Sequence, residues 1–350
     1  MLSGKALDII RACRFCWMCR HLCPVGLATG REVNTPRAKA LLLDMEQKGS
    51  SAMQEYAEDM FHCCLCASCA ENCETGYDPT VFIREARRKI TAHGLAPQAV
   101  AALIEQYIAE EGSPASAEQA ELLLYSGAQD TEAGREMQKA FGSLLEKAGI
   151  AYMTWEKEPP DGNRLYDLIG ETAEVRQTAQ KCWEGICASG AKRVVVLNPS
   201  SARMFRQEYP LWGLKIPAEI VTATSFAAEL LHEGRLHIKK TDGKAAYHDP
   251  CRLARDLEET EPARELIRAM GYELCEMIQS GKLTKCCGGV VLDAHSPDIS
   301  KLTAESRLSD AERIGAGMLI TACPGCTSVL KKGAGKVEVK NLFVLMDEHT

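Results

Sequence analysis

No apolar run in this sequence approaches the roughly 18–20 residues that a helix needs to cross a bilayer, so no transmembrane segment is expected. Met1 to Arg11 lacks the apolar core and small-residue cleavage site of a secretory signal. No G-x-G-x-x-G follows the strand-like runs, which removes support for a dinucleotide-binding turn. Basic charge is not in excess either, and a net charge of −7 leaves no general footprint for nucleic acid. What remains is an ordinary globular composition, 46% hydrophobic and 25% charged over 350 residues, long enough for two or three domains.

Against those absences stand 17 cysteines. With no export signal they are expected as thiolates in a reducing cytosol, not as disulfides, which makes the chain cytoplasmic. Eight of them form two runs, Cys13-x2-Cys16-x2-Cys19-x3-Cys23-Pro24 and Cys63-x2-Cys66-x2-Cys69-x3-Cys73. This is the spacing that holds [4Fe–4S] cubane clusters in bacterial two-cluster ferredoxins. A zinc site, with two separated pairs of ligands, has no use for the third cysteine. In the two-cluster arrangement the fourth cysteine of each run ligates the other cube. One cube is thus assigned Cys13, Cys16, Cys19 and Cys73, and the other Cys63, Cys66, Cys69 and Cys23. Glu74 stands where proline is usual after the last cysteine, which weakens that turn but not the ligation. Arg11, Arg14, Arg20 and His21 crowd the first loop, either to balance thiolate charge or to dock an acidic partner.

Residues 1–95 read as a helical ferredoxin domain. Thr35 caps a helix begun by Pro36 and stopped by Gly49, a second helix runs from Ser51 into Cys63, and a third spans Thr80 to His93 before Gly94. Residues 96–116 read as a helix opened by Pro97, followed by the linker Glu110–Ser116.

The rest alternates short apolar runs with helical stretches, the order of a parallel-sheet α/β fold, and the pattern occurs twice. The first copy, 117–240, has strands at Glu121–Ser126, Ile150–Thr154 and Arg193–Leu197, with helices through Leu144–Leu145 and from about Ser201. The second, 241–350, has strands at Lys244–Tyr247, Tyr272–Glu276 and Met318–Thr321, with helices at Ala263–Met270, Leu302–Ile314 and from about Thr327. The fold class is therefore α plus α/β: an N-terminal two-cluster ferredoxin domain, then two duplicated units with parallel sheets.

Three turns of the second copy carry cysteines: His248-Asp249-Pro250-Cys251, Cys286-Cys287-Gly288-Gly289 and Cys323-Pro324-Gly325-Cys326. All lie at the strand end where open α/β sheets bind ligands, and the last opens a helix whose free N–H groups favour anions. Zinc, or a redox dithiol at Cys323 and Cys326, remains compatible with these turns alone.

With these turns the chain resembles the cysteine-rich CCG-domain proteins. That family includes heterodisulfide reductase subunits and the iron–sulfur subunits of glycolate oxidase and lactate-utilisation complexes. The resemblance implies a further, noncubane [4Fe–4S] cluster on Cys251, Cys286, Cys287, Cys323 and Cys326. It also implies a flavin-binding dehydrogenase partner that oxidises a small 2-hydroxy acid or related substrate. Electrons would be relayed to a quinone, ferredoxin or other acceptor, including an iron–sulfur or membrane-associated one that would hold the chain at a membrane periphery. The alternative it implies is thiol–disulfide reduction at a single noncubane cluster.

On the same template, the first copy has Ala128, Pro160-Asp161-Gly162 and Asn198-Pro199-Ser200-Ser201 where the five cysteines belong, so it holds no such cluster. Cys182, Cys187 and Cys275 are expected as buried apolar residues and Cys64 as a spectator within its loop. His248 is read either as packing or as a hydrogen-bond donor to a cluster.

Overall fold

The computed structural model describes residues 2–14, 16–114, 120–333 and 335–350. Leu122–Tyr125 (β1) is apolar and buried at every position, as a strand covered on both faces must be. It pairs in parallel with Arg193–Val196 (β2), which pairs with Glu219–Thr222 (β3). In the second unit Lys244–Tyr247 (β4) lies between Glu273–Cys275 (β5) and Met318–Thr321 (β6), and Glu338–Asn341 (β7) closes the far edge. Both sheets are parallel throughout.

The expected strand at Ile150–Thr154 does not form. Met153 alone makes a parallel bridge to Leu123, and the chain then leaves the sheet as Lys157 accepts the Ser113 N–H. That bridge still occupies the place beside β1 that β5 takes beside β4. The edge strands β3 and β7, each opening on Glu, are not among the strands expected from the sequence. The helix expected from about Thr327 opens at Pro324, because Cys323 serves as its N-cap.

Packing of the two units is reciprocal. The helix after β3, Ala223–His232, lies on Glu261–Ala269 of the second unit, and the helix after β7, Leu342–Glu348, lies on Glu132–Lys147 of the first. One apolar core therefore runs through both, with Phe141 and Phe343 edge to face at 5.0 Å.

The N-terminal residues are helical as expected. Thr35 accepts from the Ala38 N–H and caps Pro36–Gln47, and Asp78 caps Pro79–Ala92. The expected helix from Ser51 to Cys63 is broken into a 3-10 turn, Met53–Glu55, and a short helix, Ala57–Phe61. At the break, Tyr56 has ψ near 1°, and its side chain enters the core with Met60 and Phe61. Helix Gln98–Ala109 is no tether, since Val100, Ile104 and Tyr107 join this core together with Leu165 and Leu168 of the first unit. Residues 115 and 116 of the expected linker lie outside the described residues. Among the described residues, no helix is long and apolar enough to cross a membrane.

Candidate metal centre

Each quartet sits on a loop with the same backbone signature. Trp17, after Cys16, and Ala67, after Cys66, both adopt left-handed conformations (φ 69° and 58°) just before a one-turn helix. Non-glycine residues occupy that region only at a cost, and its recurrence at equivalent places marks an imposed geometry. Alternating handedness of this kind turns successive N–H groups inward, a concavity suited to an anion. Cys19 lies in the field of Cys13, Cys16 and Cys73, and burial pushes its thiol up to about 11. Cys69 is raised by burial among Cys66, Cys63 and Cys23. Cys73 thus stands in the field of Cys19, and Cys23 in that of Cys69.

Cys23 caps helix Pro24–Thr29, with the Gly26 N–H 3.3 Å from its sulfur. Cys73, lacking the proline, leads into a turn in which its sulfur meets Thr75 Oγ1 at 3.2 Å.

Two buried cations escaped sequence reading. Lys39 donates to the Asp59 carbonyl; burial lowers its pKa to about 8, and Cys63 and Cys23 act in the opposite sense. Arg87 donates to the carbonyls of Met60, Phe61 and Cys63, and across the domain boundary to that of Asp167. Only burial distinguishes them from solvated surface charges.

The five C-terminal cysteines converge from three strand ends. Cys251 follows β4, Cys286 and Cys287 lie on an extended loop, and Cys323 and Cys326 cap and enter helix Pro324–Lys332. Cys287 and Cys326 sulfurs are 3.4 Å apart. Hydrogen bonds from Cys286 and Cys326 pull the Cys287 thiol down to about 6. Burial and contact with Cys286 push Cys251 up.

The loops are held by charge-assisted bonds. Asp249 pairs with Arg264 at 2.6 and 3.0 Å and accepts the Gly281 N–H. His248 is fully buried, with Arg307 Nε 3.1 Å from its Nδ1. A cavity of about 90 Å³ touches all five cysteines, Cys63 and Cys64, and, from the first unit, Ala128, Asn163 and Asn198. A thiol-lined, buried cavity of this kind fits an iron–sulfur group, whose iron would keep these sulfurs deprotonated.

Gly288 has φ 117°, and a Cβ there would lie 2.7 Å from the Ser300 carbonyl. Gly288→Ala is accordingly expected to displace the Cys286–Cys287 loop. Iron analysis should then find about four fewer irons per chain, with the N-terminal clusters retained.

The second quartet and the C-terminal cysteines form one continuous site. Cys66 and Cys286 pack into one buried cluster. Cys64 bridges the same gap, its sulfur donating to the Gly288 carbonyl at 3.2 Å. The sequence singled it out only by its place beside Cys63, and its long-range contact was not readable there. Arg255 fastens the junction, donating to the carbonyls of Cys66, Lys282 and Thr284. The first quartet is more open, with Cys16 exposed beside exposed Trp17 and Met18.

In the first unit the corresponding place is filled by polar groups. Glu158 accepts the N–H groups of Ser126 and Gly127 at 2.6 and 2.9 Å, and burial pushes its carboxyl up to about 7. Asn163 donates to Asp161 and Asn198 to the Gly127 carbonyl. A cavity of about 280 Å³ lies over them, lined also by Ala128, Pro160 and Gly162. Cys182 is buried on helix Ala173–Ser189 as expected, whereas Cys187, on the same helix, and Cys275, in β5, are only half-buried.

Comparison with known proteins finds matches in both cysteine-bearing regions. Residues 12–78 match the 4Fe-4S dicluster domain and residues 245–331 the cysteine-rich domain. The chain is 26% identical over 390 residues to a component of the dihydromethanophenazine:CoB–CoM heterodisulfide reductase of Methanosarcina acetivorans, with 99% of this chain and 95% of that protein covered. It is 23% identical to the EtfAB:quinone oxidoreductase of Syntrophomonas wolfei, across 91% of this chain and 48% of that one. A hypothetical protein from Helicobacter pylori shares the fold at TM-score 0.62 and 13% identity, over 90% of this chain and 67% of its own.

Proposed function

We propose that this chain, an iron–sulfur protein with a 4Fe-4S dicluster domain and a cysteine-rich domain, is the electron-transfer subunit of an oxidoreductase complex with three clusters in series. The first cubane, on Cys13, Cys16, Cys19 and Cys73, is the surface terminal. The second, on Cys63, Cys66, Cys69 and Cys23, is the middle station. A noncubane cluster on Cys251, Cys286, Cys287, Cys323 and Cys326 is the inner terminal. The contact of Cys66 with Cys286 carries this reading, because it leaves no protein between the second and third ligand sets. Cluster chemistry supplies the electron transfer; the chain sets spacing and potential through burial, charge and hydrogen bonds. The partner is a flavin-dependent dehydrogenase of a small 2-hydroxy acid or related substrate, and the final acceptor a quinone, ferredoxin or other carrier.

The full-length likeness to a heterodisulfide reductase component, and the cavity beside the five cysteines, favour a second reading in which a disulfide is reduced at the inner terminal. Anaerobic co-purification separates the two. A bound flavoprotein that reduces the clusters with its substrate supports the relay. Disulfide reduction by the isolated chain with an artificial donor sinks it.

The rim of the first loop suits an acidic partner. Arg11, Arg14, Trp17, Met18 and Arg20 are exposed there, although the chain as a whole is acidic. Arg11→Glu with Arg14→Glu is expected to slow electron entry about tenfold at low salt, with the difference shrinking as salt rises. Stopped-flow reduction by the native partner measures it, and an effect independent of salt would remove the docking role.

A further inference from the structure

The environment of His248 assigns its proton. A guanidinium N–H can only donate, so with Arg307 Nε at 3.1 Å the His248 Nδ1 is an acceptor and carries no hydrogen. A neutral imidazole with a bare Nδ1 bears its one proton on Nε2. That Nε2 is buried and has no partner among the described residues. A ring nitrogen of His248 and the sulfurs of Cys287 and Cys326 lie within 4.8 Å of one another. A buried N–H is costly to leave without an acceptor, and two cysteine sulfurs lie within this span.

We propose that His248 Nε2–H donates a hydrogen bond to the sulfur of the C-terminal cluster at its Cys287–Cys326 edge and raises the reduction potential of that cluster. The inference rests on the reading that these five cysteines hold a cluster. Reduction adds negative charge to the iron–sulfur unit, so a donor to sulfur stabilises the reduced state more than the oxidised one. Direct ligation through Nε2 would need that nitrogen bare and the proton on Nδ1, where Arg307 already donates. Arg307 is the positioning residue: it is itself fully buried and anchored to Thr284 Oγ1 at 3.4 Å, so turning the ring over would break its contact with a fixed donor.

The test uses the full chain purified without oxygen, with iron counted in every sample. His248→Leu should keep its iron while the third cluster's reduction equilibrium falls about tenfold, about 59 mV for a one-electron couple. His248→Gln, whose amide can place a donor near the Nε2 position, should stay within about threefold of the parent. Pulsed EPR of the parent labelled with ¹⁵N-histidine should show a weak nitrogen coupling on the third cluster that is absent from the leucine variant. An unchanged potential in His248→Leu at full iron overturns the proposal, as does a coupling as strong as that of a bound ligand. If His248→Leu does not load iron, the glutamine variant and the parent's ¹⁵N coupling decide. Iron near eight in the parent itself would instead defeat the underlying third-cluster reading.

Discussion

Cys286→Ala protein, purified without oxygen, is expected to hold about eight irons where the parent holds about twelve. Cys286 is buried at the meeting point of the cysteine-rich site, touching Cys251 and Cys287 on one side and Cys64 and Cys66 on the other. Removing it withdraws one thiolate from the third cluster and a contact, but no ligand, from the second. The EPR signals of both cubanes should therefore survive, while electrons no longer pass beyond the second. Cys182→Ala is the control: its thiol is just as buried but meets only the Tyr125 and Tyr209 hydroxyls, so iron should stay at about twelve. Loss of all clusters in Cys286→Ala would mean that the three sites form one cooperative unit and not a series. Full retention would remove Cys286 from the ligand set.

Arg87→Met is expected to destabilise the protein by about 4 kcal/mol or more, because each buried carbonyl left without a donor costs about 1–3 kcal/mol. Its guanidinium serves Met60, Phe61 and Cys63 on the second cluster loop and Asp167 in the first α/β unit. Methionine fills much of the volume and supplies none of those bonds. Second-cluster iron should become labile as the Cys63 loop loosens, which chelator challenge at fixed temperature would measure. Arg87→Lys keeps the charge but not the fork, so it should recover little of the loss. If lysine restores both stability and iron retention, the charge and not the bond geometry is what the site requires.

Both predictions concern residues whose role depends on what surrounds them, and here the limits of sequence reading are plain. The eight cysteines of the two runs were legible because ligand spacing is a local property, C-x2-C-x2-C curling about one centre wherever the rest of the chain goes, whereas the five C-terminal cysteines, spread over three turns, were assigned only through the family resemblance. Five of the seven strands among the described residues were legible because most of them carry a short buried apolar run. The strand expected at Ile150–Thr154 failed because its length is set by where the neighbouring chain departs, not by its own residues. Edge strands β3 and β7 were hidden because solvent on one side permits charge within them.

By itself, then, the sequence determined the cofactor class, the spacing of the two cysteine runs, the cysteine turns at the sheet ends and the absence of cysteine from the matching turns of the first unit. Only the tertiary structure decided how those parts join. Cys66 meets Cys286, Cys64 meets Gly288, Arg255 and Arg87 fasten the seams, and Arg307 sets the His248 tautomer through contacts between residues far apart in the chain. The physical reason is that spacing along a chain specifies what a segment can bind. Desolvation and partner geometry, which turn an ordinary arginine, histidine or spare cysteine into a functional one, come into being only when distant segments are buried against each other.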